Sequence, residues 1–326
     1  MASFLRSTPV IIAGLWIVWS VAFLAIKVGL TGATPELFAL LRVTAAVAVL
    51  VVIVGGRRVR SGRRLTAFRA HRTCLGLGLF NVAGFLIFQN LGMVEASMGL
   101  SSVLIYTQPL LVAIAARVLL GEQLTPRRLL GLAAGWVGVM VVVGVEFDTG
   151  TTPVSSILLL LAAAICWSGG TLLFKSALAE GDLWRVLLWQ NVYGLVPIAL
   201  LAALRPGSLV WGAPLVFGVL WAGVGASIAG FGLQFMLLRR GEASVVSSWI
   251  FAVPILAAGL GVLLLGEPLE VGLAVGAVAV GAGIYLVNSR ANVAGGPEIP
   301  LGTEGVAAVQ DRHVPEPHAG ESPEDF

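Results

Sequence analysis

The stretch Leu119-Leu120-Gly121-Glu122-Gln123-Leu124 returns later in the chain as Leu264-Leu265-Gly266-Glu267-Pro268-Leu269. Each copy ends an apolar run that contains a proline, Pro109 in the first copy and Pro254 in the second. A second apolar run with spaced glycines and alanines follows each copy. The two copies keep an offset of 145 residues, and such constancy indicates an internal repeat of a whole structural unit.

The composition is that of a membrane protein. The 326 residues are 58% hydrophobic and only 11% charged, with a mean hydropathy of +0.96, whereas a soluble domain has roughly a quarter of its residues charged. Cys74 and Cys166 lie at or in apolar runs without metal-type spacing. We interpret them as small packing residues rather than as a disulfide or a site.

Ten apolar segments, each near the length that a bilayer requires, lie between charged and turn-rich breaks. They are Pro9–Leu30, Pro35–Gly55, Thr73–Gly92, Ser97–Leu120, Pro126–Val145, Val154–Leu178, Leu183–Leu204, Ala213–Leu238, Ala243–Leu265 and Leu269–Val287. Most connections between them are very short, so neighbouring segments should run antiparallel. Their many glycines and alanines allow the close helix packing that is common in lipid.

The repeat also covers the first segments of each half, because Trp19-Ser20 with Lys27 recurs as Trp167-Ser168 with Lys175. We therefore predict an all-α membrane protein with one five-helix repeat in residues 1–146 and a second in residues 147–290. An odd number of spans reverses the direction of the second copy. The ten transmembrane helices should thus form two inverted repeats related by an axis in the membrane plane.

The charge distribution predicts the orientation. Arginines crowd the loop between the second and third segments and recur at the start of the fifth and the end of the eighth. By the positive-inside rule both termini are expected in the cytoplasm. Residues 291–326 are rich in Pro, Gly and Glu and carry a net charge of −6, which predicts a disordered acidic tail. We attribute the arginine loop to orientation and to contact with anionic lipids, not to nucleic-acid binding.

The polar residues within the spans are mostly neutral amides and aromatics, which should face the bundle interior. Two interpretations stay open for each: an interhelical hydrogen bond, or the lining of a substrate cavity. The candidates for substrate binding are Gln89, Tyr106, Trp167, Gln190, Asn191, Gln234, Trp249 and Arg42. Gln89 and Gln234 are repeat-related, which favours the cavity for both. No metal, cofactor or hydrolytic site can be assembled from the residues at membrane depth, so an enzyme is not expected.

Arg42 is the one charge clearly inside a span, and its repeat counterpart is Gln190. It is either a contact for an anionic group of the substrate, or the partner of Glu36 or Glu95, or a cap on helix carbonyls. The repeat-related Lys27 and Lys175 lie near span ends and are expected to extend towards the membrane surface; contact with substrate is the alternative that their symmetry leaves open.

Pro109 and Pro254 should each kink their helix at membrane depth, because each removes a hydrogen bond to the carbonyl four residues earlier. A gating role and a purely structural kink both remain open for them. Glu122 and Glu267 should lie near the start of the helix that follows each of them, where the helix dipole favours a negative charge.

Together, the doubled Trp-Ser and Lys, the mid-span proline and the Leu-Gly-Glu turn resemble the EamA family of the drug/metabolite transporter superfamily. The resemblance covers about Pro9 to Asn288. It implies a multi-pass carrier in the bacterial inner membrane, often an exporter of amino acids or related small metabolites. One departure is that the arginine common in the second span of each repeat is present as Arg42 but replaced by Gln190.

The expected function is therefore alternating-access transport of a small molecule through a central cavity between the repeats, in a lipid bilayer and without a cofactor. The alternative is a membrane sensor or scaffold that acts through its C-terminal tail. The sequence leaves open whether the protein forms a homodimer.

Overall fold

The computed structural model describes residues 8–56, 68–122, 125–149, 152–177, 182–268 and 271–288. These ranges are helical apart from short turns, and within them the only strand-like pairing is an isolated bridge between Ala33 and Leu209. The predicted helical class is confirmed. The arginine-rich loop at residues 57–67 and the acidic tail at 291–326 lie outside the described residues.

The first half of the chain contains seven described α-helices. They are α1 (Thr8–Gly29), α2 (Pro35–Gly56), α3 (Phe68–Leu77), α4 (Phe85–Met93), α5 (Met98–Ile105), α6 (Gln108–Leu119) and α7 (Pro126–Thr149). The second half, over its described residues, contains seven more. They are α8 (Val154–Ala177), α9 (Leu183–Leu204), α10 (Ala213–Leu220), α11 (Phe231–Leu238), α12 (Ala243–Ser248), α13 (Ala252–Leu260) and α14 (Val271–Asn288).

Among the described residues, eight helical segments are long and apolar enough to cross a membrane. They are Thr8–Gly29, Pro35–Gly56, Ala70–Met93, Met98–Leu119, Val154–Ala177, Leu183–Leu204, Ala213–Leu238 and Ala243–Leu265. The remaining two predicted segments correspond to α7 and α14, whose continuous apolar stretches are shorter, Leu129–Gly138 and Ala274–Gly283. These two helices pack on each other, and a side chain at Gly283 would collide with the backbone of Gly131 and Gly135.

Both proline-containing segments are broken, as predicted. α5 ends at Ile105, the backbone leaves helical geometry at Tyr106, and α6 begins at Gln108 with Pro109 in its first turn. In the second half, α12 and α13 are separated by a 3₁₀ turn, and Ile250 within it has non-helical angles of φ −89° and ψ 15°. Pro109 belongs in a first turn because its missing N–H would be unpaired there in any case.

Two other segments widen into π-helix at related positions, Gly78–Gly84 between α3 and α4 and Trp221–Gly230 between α10 and α11. Each begins near a glycine at a close helix contact. A Cβ on Gly223 would collide with the carbonyl of Arg42 in α2, and a Cβ on Gly78 would collide with the carbonyl of Gln190 in α9. The halves therefore repeat not only motifs but also backbone contacts.

The two motif lysines cap helix ends. Lys27 Nζ donates to the carbonyl oxygens of Met93 and Ala96 at 2.9 and 2.6 Å, and Lys175 Nζ donates to those of Leu238 and Gly241, both at 2.8 Å. A cation at a helix C-terminus satisfies unpaired carbonyls and complements the dipole. Both lysines thus reach the ends of neighbouring spans, and their extension to the membrane surface stays a prediction.

The two motif glutamates cap helices in opposite halves of the chain. Glu122 accepts hydrogen bonds from the amides of Ala243 and Ser244 at 2.8 and 3.2 Å, at the start of α12. Glu267 accepts from the amide of Met98, the first residue of α5, at 2.8 Å. The expectation that each acid serves the helix after it is wrong, because the partner helix lies about 120 to 170 residues away.

These caps orient two segments. The carboxylate after α6 reaches the start of α12, and the carboxylate after α13 reaches the start of α5, so Met98–Leu119 and Ala243–Leu265 run antiparallel side by side. Gly121 and Gly266, at φ 70° and 67°, provide the left-handed turn that returns the chain towards the partner. This conformation suits glycine because it has no Cβ.

The serines of the two Trp-Ser pairs also link the halves. Ser20 Oγ lies 3.5 Å from the carbonyl oxygen of Val253, and Ser168 Oγ donates to that of Gln108 at 3.3 Å. Each acceptor is the residue immediately before a motif proline. The Trp-Ser pair in one half is therefore placed against the helix break of the other.

We expect Glu122→Ala and Glu267→Ala each to lower the free energy of unfolding by about 1–2 kcal/mol, since each removes a charged helix cap. The two sites lie at opposite ends of a 22-residue segment, about 30 Å apart, so the double variant should show the sum of the two losses. Thermal unfolding of the purified protein in detergent measures both. Glu95→Ala, at an exposed position, is the control, and a melting temperature equal to that of this control would contradict the capping role.

Candidate functional site

A cavity between the helices is lined by residues from both halves of the chain. Its walls come from α1, α2, α4, α5, α8 and α11, the break after α5 and the π-helical segment before α11. The cavity volume is about 30 Å³, and the empty space that includes its opening to the outside is about 370 Å³. The lining residues are Trp19, Ala22, Phe23, Ile26, Arg42, Phe85, Gln89, Ile105, Tyr106, Trp167, Ala226 and Phe231.

Aromatic rings form most of the wall, and Trp167 is at their centre. Its ring centroid lies 5.0 Å from that of Trp19, 5.4 Å from that of Tyr106 and 5.5 Å from that of Phe85. The contacts with Trp19 and Tyr106 are edge-to-face, a favourable arrangement that holds both rings in fixed orientations. The wall therefore offers flat, rigid apolar surfaces to a solute.

Charged and amide side chains also belong to this region. Arg42 and Gln89 line the cavity directly, and both are buried. Gln234 lies behind the wall and accepts a hydrogen bond from Trp167 Nε1 at 3.3 Å. The repeat-related glutamines thus take different positions: one amide faces the cavity, and the other orients the central tryptophan.

Four of the eight predicted substrate-binding residues line the cavity: Arg42, Gln89, Tyr106 and Trp167. Gln190 and Asn191 are buried in α9 outside that lining, and Asn191 Nδ2 donates to the carbonyl oxygen of Leu187 one turn earlier. Trp249 lies in the 3₁₀ turn, where its carbonyl oxygen accepts from Trp16 Nε1 at 2.6 Å. Pro109 and Pro254 are buried at the two helix breaks.

The aromatic wall is completed by residues that were not predicted from the sequence: Trp19, Phe23, Phe85 and Phe231. Trp19 had one available signal, because it is the repeat counterpart of Trp167. The phenylalanines had none, since an apolar ring on a membrane helix has the same pattern whether it faces lipid, a neighbouring helix or a cavity.

The lining residues of the cavity are of types that can bind a small solute. Its described lining contains one cation, one neutral amide and one phenol, with the other residues apolar. Across the described ranges, no three His, Cys, Asp or Glu side chains lie close enough together to hold a metal ion. The arrangement can orient a small amphipathic solute between aromatic surfaces and these polar groups.

Comparison with known proteins agrees with this geometry. The EamA-like transporter family matches residues 7–144 and again residues 154–289. The uncharacterized transporter YvbV of Bacillus subtilis is 30% identical over 286 residues, 87% of this chain and 92% of that protein. A probable amino-acid metabolite efflux pump of Salmonella typhimurium is 25% identical over 83% of this chain and 91% of that protein.

A third relative is a probable terminal-alkyne amino-acid exporter of Streptantibioticus cattleyicolor. It is 28% identical over 84% of this chain and 91% of that protein. A solved crystal structure of another protein superposes with a TM-score of 0.65 at 22% identity, covering 86% of this chain and 97% of that one. At that identity the superposition shows a shared fold.

The packing of Trp19 on Gly230 gives a test of the cavity wall. A Cβ on Gly230 would collide with the Trp19 indole nitrogen, so Gly230→Ala should displace the ring and cost about 1–3 kcal/mol through overpacking. We expect a lower melting temperature and a shifted tryptophan emission spectrum in detergent. Gly259→Ala is the matched control, because no atom lies within 4 Å of a Cβ there; identical behaviour of the two variants would contradict this packing.

Proposed function

Because this chain belongs to the EamA-like transporter family, we propose that it is a secondary transporter that exports amino acids or related small metabolites by alternating access. The observation that carries the proposal is the central cavity, whose walls combine Trp19 and Arg42 from the first matched region with Trp167 and Phe231 from the second. Substrate sites at the interface between repeats are typical of secondary carriers. Relatives named as amino-acid efflux pumps or exporters support the choice of solute.

The helix breaks support the proposal that part of the cavity wall moves during transport. Ile105 and Tyr106 line the cavity, and the break that follows them separates α5 from α6. A change in the angle between these helices would therefore move part of the cavity wall directly. We assign Pro109 and Pro254 to the two hinges of this movement, since a proline break absorbs bending at little further cost.

The proposed topology has ten crossings in two inverted five-helix repeats, with α7 and α14 as the fifth and tenth crossings. The antiparallel course of Met98–Leu119 and Ala243–Leu265, related segments of the two halves, supports the inversion. The arginine distribution supports cytoplasmic termini in a bacterial inner membrane. In this arrangement lipid tails cover the exposed apolar side chains of α7 and α14, such as Leu130, Met140 and Val278.

Transport in vesicles tests the proposal. We expect vesicles that contain the purified protein to exchange at least one labelled amino acid or related metabolite from a broad panel, and empty vesicles to exchange none. Trp167→Ala should slow this exchange about tenfold, the effect of losing about 1.4 kcal/mol of ring contacts. Trp211→Ala, at a 65% exposed position, is the control. A wild type that moves no solute, with or without ion gradients, would remove the main support for transport.

Deletion of residues 291–326 separates a carrier from a protein that acts through its tail. The matched family regions end at residue 289, so the shortened chain should exchange the same solute at the wild-type rate. The measurement is the initial rate per molecule of inserted protein. Loss of exchange by a correctly folded, tail-deleted protein would favour a role that depends on the tail.

A further inference from the structure

The Arg42 guanidinium is a buried cation with weak, neutral partners. The residue is 2% exposed and lines the central cavity. Nη1 donates to Asn90 Oδ1 at 3.4 Å and Nη2 to the carbonyl oxygen of Ala222 at 3.3 Å, both near the upper limit for hydrogen bonds. Nε has no acceptor in the described part of the structure.

The neighbouring acids are engaged elsewhere. Glu36, one turn and a half earlier in α2, forms an ion pair with Arg205 at 3.5 Å. Glu95 is exposed, and Glu122 and Glu267 bind helix N-termini. Across the described ranges, no carboxylate pairs with Arg42, and none of the described cavity-lining residues is acidic. Of the alternatives for Arg42, the salt bridge to Glu36 or Glu95 is absent from the described structure, whereas a contact with a helix carbonyl, that of Ala222, is present.

The consequence is a cavity with a net positive charge. A buried cation without a counter-ion is unfavourable at membrane depth, and a solute that carries a carboxylate would compensate it. A planar guanidinium matches a carboxylate with two parallel N–H donors. A solute ammonium group has no anionic partner among the described lining residues and is repelled by Arg42.

The remainder of the wall determines the body of the solute. Trp19 and Trp167 present rigid aromatic surfaces at 5.0 Å centroid separation, and Gln89 adds one neutral amide whose Oε1 has no hydrogen-bond partner in the described structure. Flat apolar groups of a solute can pack on these aromatic rings. One hydroxyl on the solute could donate to this oxygen of Gln89.

From these observations we infer that the cavity selects monocarboxylates with an aromatic or similarly flat apolar body, and binds them more tightly than the zwitterionic amino acids of the same skeleton. The carboxylate lies on Arg42 and the body lies against Trp19 and Trp167. This inference rests on the transport function proposed above and narrows its substrate class. It distinguishes organic acids from amino acids by the charge of one group.

Three probes that share a phenylethyl skeleton test the inference: 3-phenylpropionate, L-phenylalanine and phenethylamine. Binding to the purified full-length protein in detergent is measured by calorimetry and by tryptophan quenching. We expect 3-phenylpropionate to bind at least tenfold more tightly than L-phenylalanine, and phenethylamine to bind most weakly. Acetate, which has the carboxylate without the ring, should also bind at least tenfold more weakly than 3-phenylpropionate.

Variants locate the site. Arg42→Gln should weaken 3-phenylpropionate binding at least tenfold and abolish the preference over L-phenylalanine, whereas Arg205→Gln, at an exposed position, should keep both. If Arg42→Gln does not fold, Arg42→Lys is the second variant. It keeps the charge but loses the planar pair of donors, so it should also weaken binding of 3-phenylpropionate. The order of affinities of the probes for the wild type tests the inference without any variant. Equal affinity for the acid and the amino acid, or no binding of any probe, would overturn the inference.

The binding measurement is independent of transport. If the protein exchanges some solute but shows no preference for the carboxylate, the proposed transport function is supported and the inferred substrate class is contradicted. Selective binding of 3-phenylpropionate without exchange of any solute would support the substrate class and contradict the proposed transport function.

Discussion

A backbone amide or carbonyl that lies in lipid must find a partner within the protein, and the described architecture depends on how this requirement is met. Lys27 and Lys175 close two helix C-termini, and Glu122 and Glu267 close two N-termini. The sign of each charge matches the helix dipole at its end. Because each cap comes from a different segment, one interaction both satisfies a helix end and fixes the position of a neighbour.

The same requirement explains where the helices are allowed to be irregular. Their breaks lie where polar partners are available inside the protein. The Ala222 carbonyl in the second π-helical segment accepts from both Arg42 and Ser227, and the Thr107 hydroxyl at the first proline break donates to the carbonyl of Leu104. Irregular backbone is thus concentrated beside the cavity and at the two broken segments. These are the places where a transporter needs walls that can bend.

Much of this fold could be predicted from the sequence because helix length, apolar runs and proline breaks are local properties. The repeat offset even predicted which breaks are related. The partners of Glu122 and Glu267 could not be predicted, since a contact across more than 100 residues depends on how segments pack rather than on their own pattern. The residues that line the cavity could likewise not be told from their own polarity. Tyr106 and Trp167 line it, but Gln190, which is also a polar residue within a span, does not.

The two halves match in their backbone contacts at the helix crossings but differ in the side chains that line the cavity. Gly223 lies against the carbonyl of Arg42 as Gly78 lies against that of Gln190, so the two helix crossings match. The side chains at these crossings do not: Arg42 lines the cavity, whereas both polar atoms of Gln190 are buried without a hydrogen-bond partner in the described structure. Two matched scaffolds therefore hold a cavity with one cation in its described lining. A solute of the proposed kind would take one orientation in this cavity, because only one of the two crossings presents a charge.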